Sequence, residues 1–168
     1  MSAQVLILYT GGTIGMVQTE QGLAPTSGLQ ERIEMALGLS INTLPSFEVL
    51  EISPLIDSAN ITPQHWTKLA TILATHWQDY DGFVILHGTD TMAYSASAIS
   101  FMLKGVNKPI IFTGAQIPIG ATRSDARENL ITALEIASER NGDHAMVTEV
   151  CLYFNYYLLK GNRAQKIR

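Results

Sequence analysis

The sequence predicts an α/β fold: an open, mostly parallel, three-layer sheet with helices on both faces. Two observations predict it. Short β-branched and aliphatic runs recur along the chain, each ending near Gly, Thr or Asp, and segments with helical spacing separate them. The 168 residues are 46% hydrophobic and only 15% charged, which suffices for one core of ordinary size and is too little charge for a disordered chain.

The elements follow in order. Residues 5–9 (Val-Leu-Ile-Leu-Tyr) read as a buried strand that exits into Thr10-Gly11-Gly12. Leu29 to Leu37 has helical spacing, and residues 47–52 read as a second strand. Thr62-Pro63 is a helix start, with Thr as N-cap and Pro at the first helical position. Trp66, Leu69, Leu73 and Trp77 then share one face, which reads as core. Residues 83–86 form a third strand, followed by a helix over about 91–103. Residues 109–112 form a fourth strand. Ser124 caps a helix running to about Arg140, and residues 147–154 form a fifth strand. The end, Asn162 to Arg168, is polar and loop-like, so the chain reads as one domain cut from something longer.

Composition narrows the partners. The net charge is −4, and Lys and Arg form no dense run, which argues against nucleic acid and anionic membranes. The single cysteine, Cys151, lies in an apolar stretch and reads as a small core residue, so nothing points to an oxidising compartment. No apolar stretch approaches membrane-spanning length, and the first strand is too short for a signal-peptide core. A cytoplasmic protein is expected. No cluster of His, Cys or Glu has ligand spacing, so neither metal nor cofactor is expected.

In open parallel sheets, ligands bind beyond the carboxyl ends of the strands. Here that edge is rich in hydroxyls: Thr10-Gly11-Gly12-Thr13, Asp57-Ser58, Thr89-Asp90 and Thr113-Gly114-Ala115-Gln116. The first loop is not a phosphate loop, since Thr10 replaces the first Gly of G-x-G-x-x-G and no Gly-Lys-Ser/Thr is present. Local context alone makes Asp90 a helix N-cap, His87 a core histidine and Lys166 a solvated loop lysine. A threonine nucleophile needs a base, however, and a neutral lysine can serve as one.

Together these segments resemble the asparaginase/glutaminase family. Thr10-Gly11-Gly12-Thr13-Ile14-Gly15 is similar to its first signature, and His87-Gly88-Thr89-Asp90-Thr91-Met92 to its second. Ile56-Asp57-Ser58, Thr113-Gly114-Ala115-Gln116-Ile117-Pro118 and Gly161-Asn162-Arg163 leading to Lys166 follow in the same order. Ile14-Gly15-Met16 and Thr91-Met92-Ala93-Tyr94 resemble the cytoplasmic type I members. The likeness spans the chain but only about the first half of a typical member. It implies that 1–168 is an amino-terminal catalytic domain, with the carboxyl-terminal domain absent.

The resemblance implies hydrolysis of L-asparagine to L-aspartate and ammonia through a threonine acyl-enzyme, in a homo-oligomer. Thr13 matches the attacking threonine. Thr89, Asp90 and Lys166 match a second threonine with its Asp and Lys partners, and the order in which the two threonines act stays open. Asp57, Ser58 and Asp90 match groups that hold the substrate's α-amino and α-carboxylate. Backbone N–H groups near Thr89 and Ala115 match an oxyanion hole. One position departs: many members carry a tyrosine in the loop after the first signature, where this chain has Leu23. Two alternatives remain: an asparaginase-like amidotransferase subunit, and a non-catalytic domain that binds an amino acid.

Overall fold

The computed structural model describes residues 3–167; Met1, Ser2 and Arg168, which the expected 1–168 domain and its terminal loop include, lie outside the described residues. The chain runs β1 (Gln4–Tyr9), β2 (Met16–Thr19), β3 (Gly22–Pro25), α1 (Leu29–Leu37), β4 (Ser46–Glu51) and α2 (Pro63–Thr75). It continues through β5 (Gly82–Leu86), α3 (Met92–Met102), β6 (Ile110–Thr113) and α4 (Ala126–Ser138). Four short strands close it: β7 (Arg140–Asn141), β8 (His144–Ala145), β9 (Val150–Phe154) and β10 (Tyr157–Lys160).

The main sheet has the order β10-β9-β6-β5-β1-β4, parallel except for β10. The predicted α/β class and mostly parallel sheet are therefore present. Counting only the parallel strands in chain order, the arrangement is 2-1-3-4-5. The winding reverses between β1 and β5, and such a switch point is where a doubly wound sheet binds ligands. Alternation along β1 sorts the layers. Val5, Ile7 and Tyr9 face Leu29, Ile33, Leu130 and Leu134 of α1 and α4. Leu6 and Leu8 face Leu69, Leu73, Ala96 and Ile99 of α2 and α3. Each such fully buried aliphatic side chain contributes about 1.5–3 kcal/mol of transfer free energy.

Several boundaries and two elements differ from the sequence reading. The loop at 16–25 is a hairpin, β2 paired with β3, whose strands are too short and too polar to show a period. β10 was not anticipated: all four of its residues are exposed, so no buried face marks it in the sequence. The fifth strand starts at Val150, and the helix expected to reach Arg140 ends at Ser138, where the chain enters the β7–β8 ribbon. Ser124 does serve the start of α4, its Oγ accepting from Ala126 N at 3.0 Å. Thr62 caps α2 as expected, with His65 Nδ1 accepting from Thr62 N at 3.0 Å. Cys151 is buried beside β6, and burial pushes its thiol up to about 11, as suits a core residue.

Glycines let the strand-end loops touch. A Cβ on Gly12 would sit 2.6 Å from the Gly88 backbone, one on Gly88 would strike the Ser58 hydroxyl, and one on Gly114 the His87 carbonyl. Gly12 also has φ 91°, which side chains rarely adopt. Gly12→Ala should therefore destabilise the domain by about 1–3 kcal/mol, the scale of one strained backbone position. A urea-denaturation midpoint equal to that of the parent would refute this.

Candidate functional site

Thr13 opens a single 3-10 turn, Thr13–Gly15, immediately after the Gly12 contact. Tyr9, buried under the turn, donates its hydroxyl to Gly12 O at 3.2 Å, and burial pushes its phenol up to about 12, so it is a neutral structural donor. Ile119 N donates to Ile14 O at 3.0 Å and fixes the turn from the other side. The Thr13 hydroxyl has no hydrogen-bond partner among the described residues.

Thr89 leaves the end of β5 from the glycine that touches Gly12, so the two threonines depart from neighbouring points of the edge. Thr89 Oγ1 accepts from Gln116 Nε2 at 3.1 Å and from Lys166 Nζ at 3.3 Å. Lys166 Nζ also pairs with Asp90 Oδ1 at 3.2 Å. Asp90 is thus not a helix cap. Thr91 takes the N-cap position of α3, its hydroxyl donating to Ser58 O instead of capping the helix, while the Asp90 carboxylate is engaged by Lys166. Lys166 is likewise no free surface cation, despite its loop context. Gly161 lies against the Ala96 and Val150 carbonyls, so the terminal segment lies on α3 and returns to the site.

The remaining expected residues sit nearby. Ser58 is buried against Gly88, and its carbonyl accepts from Thr91 Oγ1 at 2.7 Å. Asp57 is exposed and uses one carboxylate oxygen to accept from Ala59 N at 3.1 Å, which leaves the other oxygen for a ligand. Ala115 is buried at the end of β6. The Thr89 and Ala115 N–H groups make no hydrogen bond to the protein among the described residues.

Sequence reasoning missed four residues that shape this edge. The Asp125 carboxylate accepts from the backbone N–H of Gln116 and Ile117 at 3.0–3.1 Å, folding the loop that brings Gln116 to Thr89. Asn129 Nδ2 donates to Gly114 O at 3.0 Å. Ser95 and Trp66 join His87: Trp66 Nε1 donates to Ser95 Oγ, and Ser95 Oγ meets His87 Nε2, each at 2.9 Å. His87 Nδ1 lies 2.7 Å from Gly88 O. A carbonyl only accepts, so Nδ1 carries the proton and the neutral Nε2 accepts from Ser95. Of the four, Trp66 lies on the periodic face of its helix and reads there as core, and only Asp125 announces itself as polar machinery, at a helix start.

Two openings meet at Gln116, which lines both. One of about 340 Å³ is lined by Thr89, Gln116 and Lys166 and by apolar Leu152, Tyr157 and Leu159. The other, of about 430 Å³, lies under the hairpin and includes Leu23, Met16, Arg32 and Gln116. Arg32 ties both hairpin stems, donating to Gly15 O and Thr26 O at 3.1 Å. Among the described residues no helix is long and apolar enough to cross a membrane, and no group of three or more His, Cys, Asp or Glu is placed to hold a metal.

The class is an open doubly wound α/β domain with a hydroxyl, carboxylate and lysine cluster at its switch point. The chain belongs to the asparaginase family, matching over residues 4–168 the model described as Asparaginase, N-terminal. It is 47% identical over 163 residues to L-asparaginase 1 of Escherichia coli K12, covering 96% of this chain and 47% of that protein. It is 43% identical to the human 60 kDa lysophospholipase, covering 98% of this chain and 31% of that protein. The crystal structure of L-asparaginase I from Vibrio cholerae superposes with a TM-score of 0.91 at 40% identity, covering all of this chain and 49% of that one. The chain thus spans about half the length or less of these relatives.

His87 gives the site a pH signature. Burial lowers its pKa from the ordinary 6.5, partly opposed by its bond to Gly88. The unfolded chain therefore binds the proton more readily. The stability that neutral His87 represents is complete above pH 6.5 and is lost as pH falls from there through the lower folded value. Urea midpoints at pH 7.5 and 5.5 should show a smaller acid loss in His87→Asn than in the parent. Equal losses would contradict this reading.

Proposed function

We propose that this chain is the amino-terminal catalytic domain of a type I L-asparaginase, which hydrolyses L-asparagine to L-aspartate and ammonia. The observation that carries the reading is Lys166 Nζ within 3.3 Å of both Thr89 Oγ1 and Asp90, on the edge where Thr13 emerges. That is a hydroxyl, a base and an orienting carboxylate in the relation an acyl-transfer relay needs.

Thr13 Oγ1 attacks the side-chain amide carbon, the C–N bond breaks, and the nitrogen leaves as ammonia with a proton supplied from the site. A water then adds to the ester. Thr89 carries its proton toward Lys166 Nζ, and Asp90 orients the lysine. Release of aspartate restores the Thr13 hydroxyl. Asp57, Ser58 and Asp90 bind the α-amino and α-carboxylate groups, and the unpaired N–H groups of Thr89 and Ala115 face the developing oxyanion. Neither a metal nor a cofactor enters this scheme. The family relatives named L-asparaginase support the reaction class, and the free Thr13 hydroxyl supports the nucleophile.

The type I likeness also supports a cytoplasmic homo-oligomer. Tyr94 and Phe101 on α3 and Tyr157 on β10 are each about two-thirds exposed, and exposed large apolar side chains favour self-association. A second domain from a neighbouring subunit would dry the crevice and strengthen its electrostatics. The chain alone is then a weak asparaginase that light scattering finds larger than a monomer.

Thr13→Ala should cost at least about 10³-fold in turnover, the scale for a nucleophile acting as part of a unit, with the urea midpoint nearly unchanged. Ammonia release at the parental rate would remove Thr13 from this role. Lys166→Arg should abolish turnover, since arginine stays protonated; activity at neutral pH would exclude the relay. Leu23→Tyr places a hydroxyl in the hairpin over Thr13 and should raise kcat. An unchanged or lower kcat would show that a hydroxyl at this position does not activate the nucleophile.

A further inference from the structure

The established family features leave one buried assembly unused: the path from Trp66 through Ser95 and His87 to Gly88. It crosses three elements, from α2 through α3 to the end of β5. Every link is a hydrogen bond of 2.7–2.9 Å, and His87 and Ser95 are essentially inaccessible to solvent. For a neutral imidazole only one proton arrangement satisfies it. The indole N–H can only donate and the Gly88 carbonyl can only accept, so the direction of every bond between them is fixed.

The chain ends on an atom that matters. Gly88 C=O and Thr89 N–H belong to the same peptide, which is trans, because Ser53–Pro54 is the one cis bond among the described residues. In a trans peptide the carbonyl and the N–H point in opposite directions. Fixing the carbonyl toward the buried imidazole therefore turns the Thr89 N–H the other way. That N–H has no protein acceptor among the described residues. Glycine at position 88 makes the constraint necessary, since a residue without Cβ rotates its peptide more freely than any other.

We propose that Trp66, Ser95 and His87 are positioning residues: together they hold the Gly88 carbonyl inward and so aim the Thr89 N–H into the crevice as an oxyanion donor. This rests on the amide-hydrolysis reading for its kinetic consequence, but not for its geometry. His87 touches no reacting atom in this scheme. Its imidazole acts as a rigid two-ended spacer, and the hydroxyl and indole behind it select the Nδ1–H tautomer that the carbonyl needs. The three side chains also couple the outer helices α2 and α3 to the orientation of one peptide at the switch point.

The test combines structure, spectroscopy and kinetics on the full 168-residue chain. Nitrogen-15 shifts of His87 at neutral pH should show a protonated Nδ1 and an unprotonated Nε2; the opposite tautomer or an imidazolium overturns the proposal. His87→Phe keeps a ring beside Phe112 but removes the donor, and its crystal structure should show the Gly88–Thr89 peptide rotated. An unmoved peptide overturns the proposal. In asparagine hydrolysis this variant should lose about 10²-fold in kcat, the scale for one oxyanion donor, with KM little changed. His87→Asn, whose amide N–H can take the place of Nδ1–H, should recover most of that loss. Equal losses in the Phe and Asn variants would show that the ring serves packing only. Should His87→Phe not fold, Ser95→Ala, which removes one hydroxyl and releases the tautomer, supplies the same shift and kcat readouts. A parent chain that shows the expected tautomer and peptide rotation but neither hydrolyses nor binds asparagine leaves the positioning chain standing and removes the asparaginase reading instead.

Discussion

The backbone contact between Gly12 and Gly88 is the constraint on which the site depends. β1 and β5 are parallel neighbours in register from Val5↔Gly82 to Tyr9↔Leu86, and the sheet's twist tends to splay the segments that continue past them. Two glycines in contact keep those segments together for two more residues. Thr10 contributes from inside, donating both its N–H and its hydroxyl to Leu86 O, at 3.0 and 2.9 Å. Thr13 and Thr89 are adjacent because of this contact, and no property of either threonine would bring them together.

A second consequence is that the close-packed backbone behind this edge is shut off from water, so the polar groups buried there find their partners within the protein. An unpaired buried polar group costs about 1–3 kcal/mol. The Asp125 carboxylate, Asn129 and the His87–Ser95–Trp66 path meet this demand, and they do so by fixing backbone groups that line the crevice. Two atoms among the described residues escape it, Thr113 Oγ1 and Arg32 Nε, both buried without a partner. Polar satisfaction and site geometry are therefore the same set of interactions here.

Lys166 reaches this edge by an indirect route. β9 runs parallel to β6, and Asn155 and Tyr156, both in the left-handed region, reverse the chain into β10. That antiparallel strand carries the chain back to the opposite edge of the sheet. The segment from Gly161 to Lys166 then crosses α3, with Ala164 in the core on that side, and delivers the ammonium to Asp90. Without β10 the lysine would end on the wrong side of α3.

What the sequence determined by itself was the architecture. Period-two and apolar patterning placed β1, β4, β5, β6 and β9 and the helices between them, because burial on both faces leaves a local signature in each strand. Motif spacing brought Thr13, Asp57, Ser58, Thr89, Asp90 and Lys166 forward as a group. What only the tertiary structure decided was how those residues pair. Asp90 looks like a helix cap from its neighbours, and Lys166 looks like a solvated lysine, because the ion pair that redefines both joins positions 76 residues apart. The exposed β10 and the hairpin carrying Leu23 were invisible for the converse reason: neither buries a face, so neither imprints a period on its residues. His87 and Trp66 read separately as core and Ser95 carries no signal of its own, and only the packing of α2 on α3 makes them one hydrogen-bonded path, since directionality between side chains is a property of three-dimensional neighbours and not of sequence order.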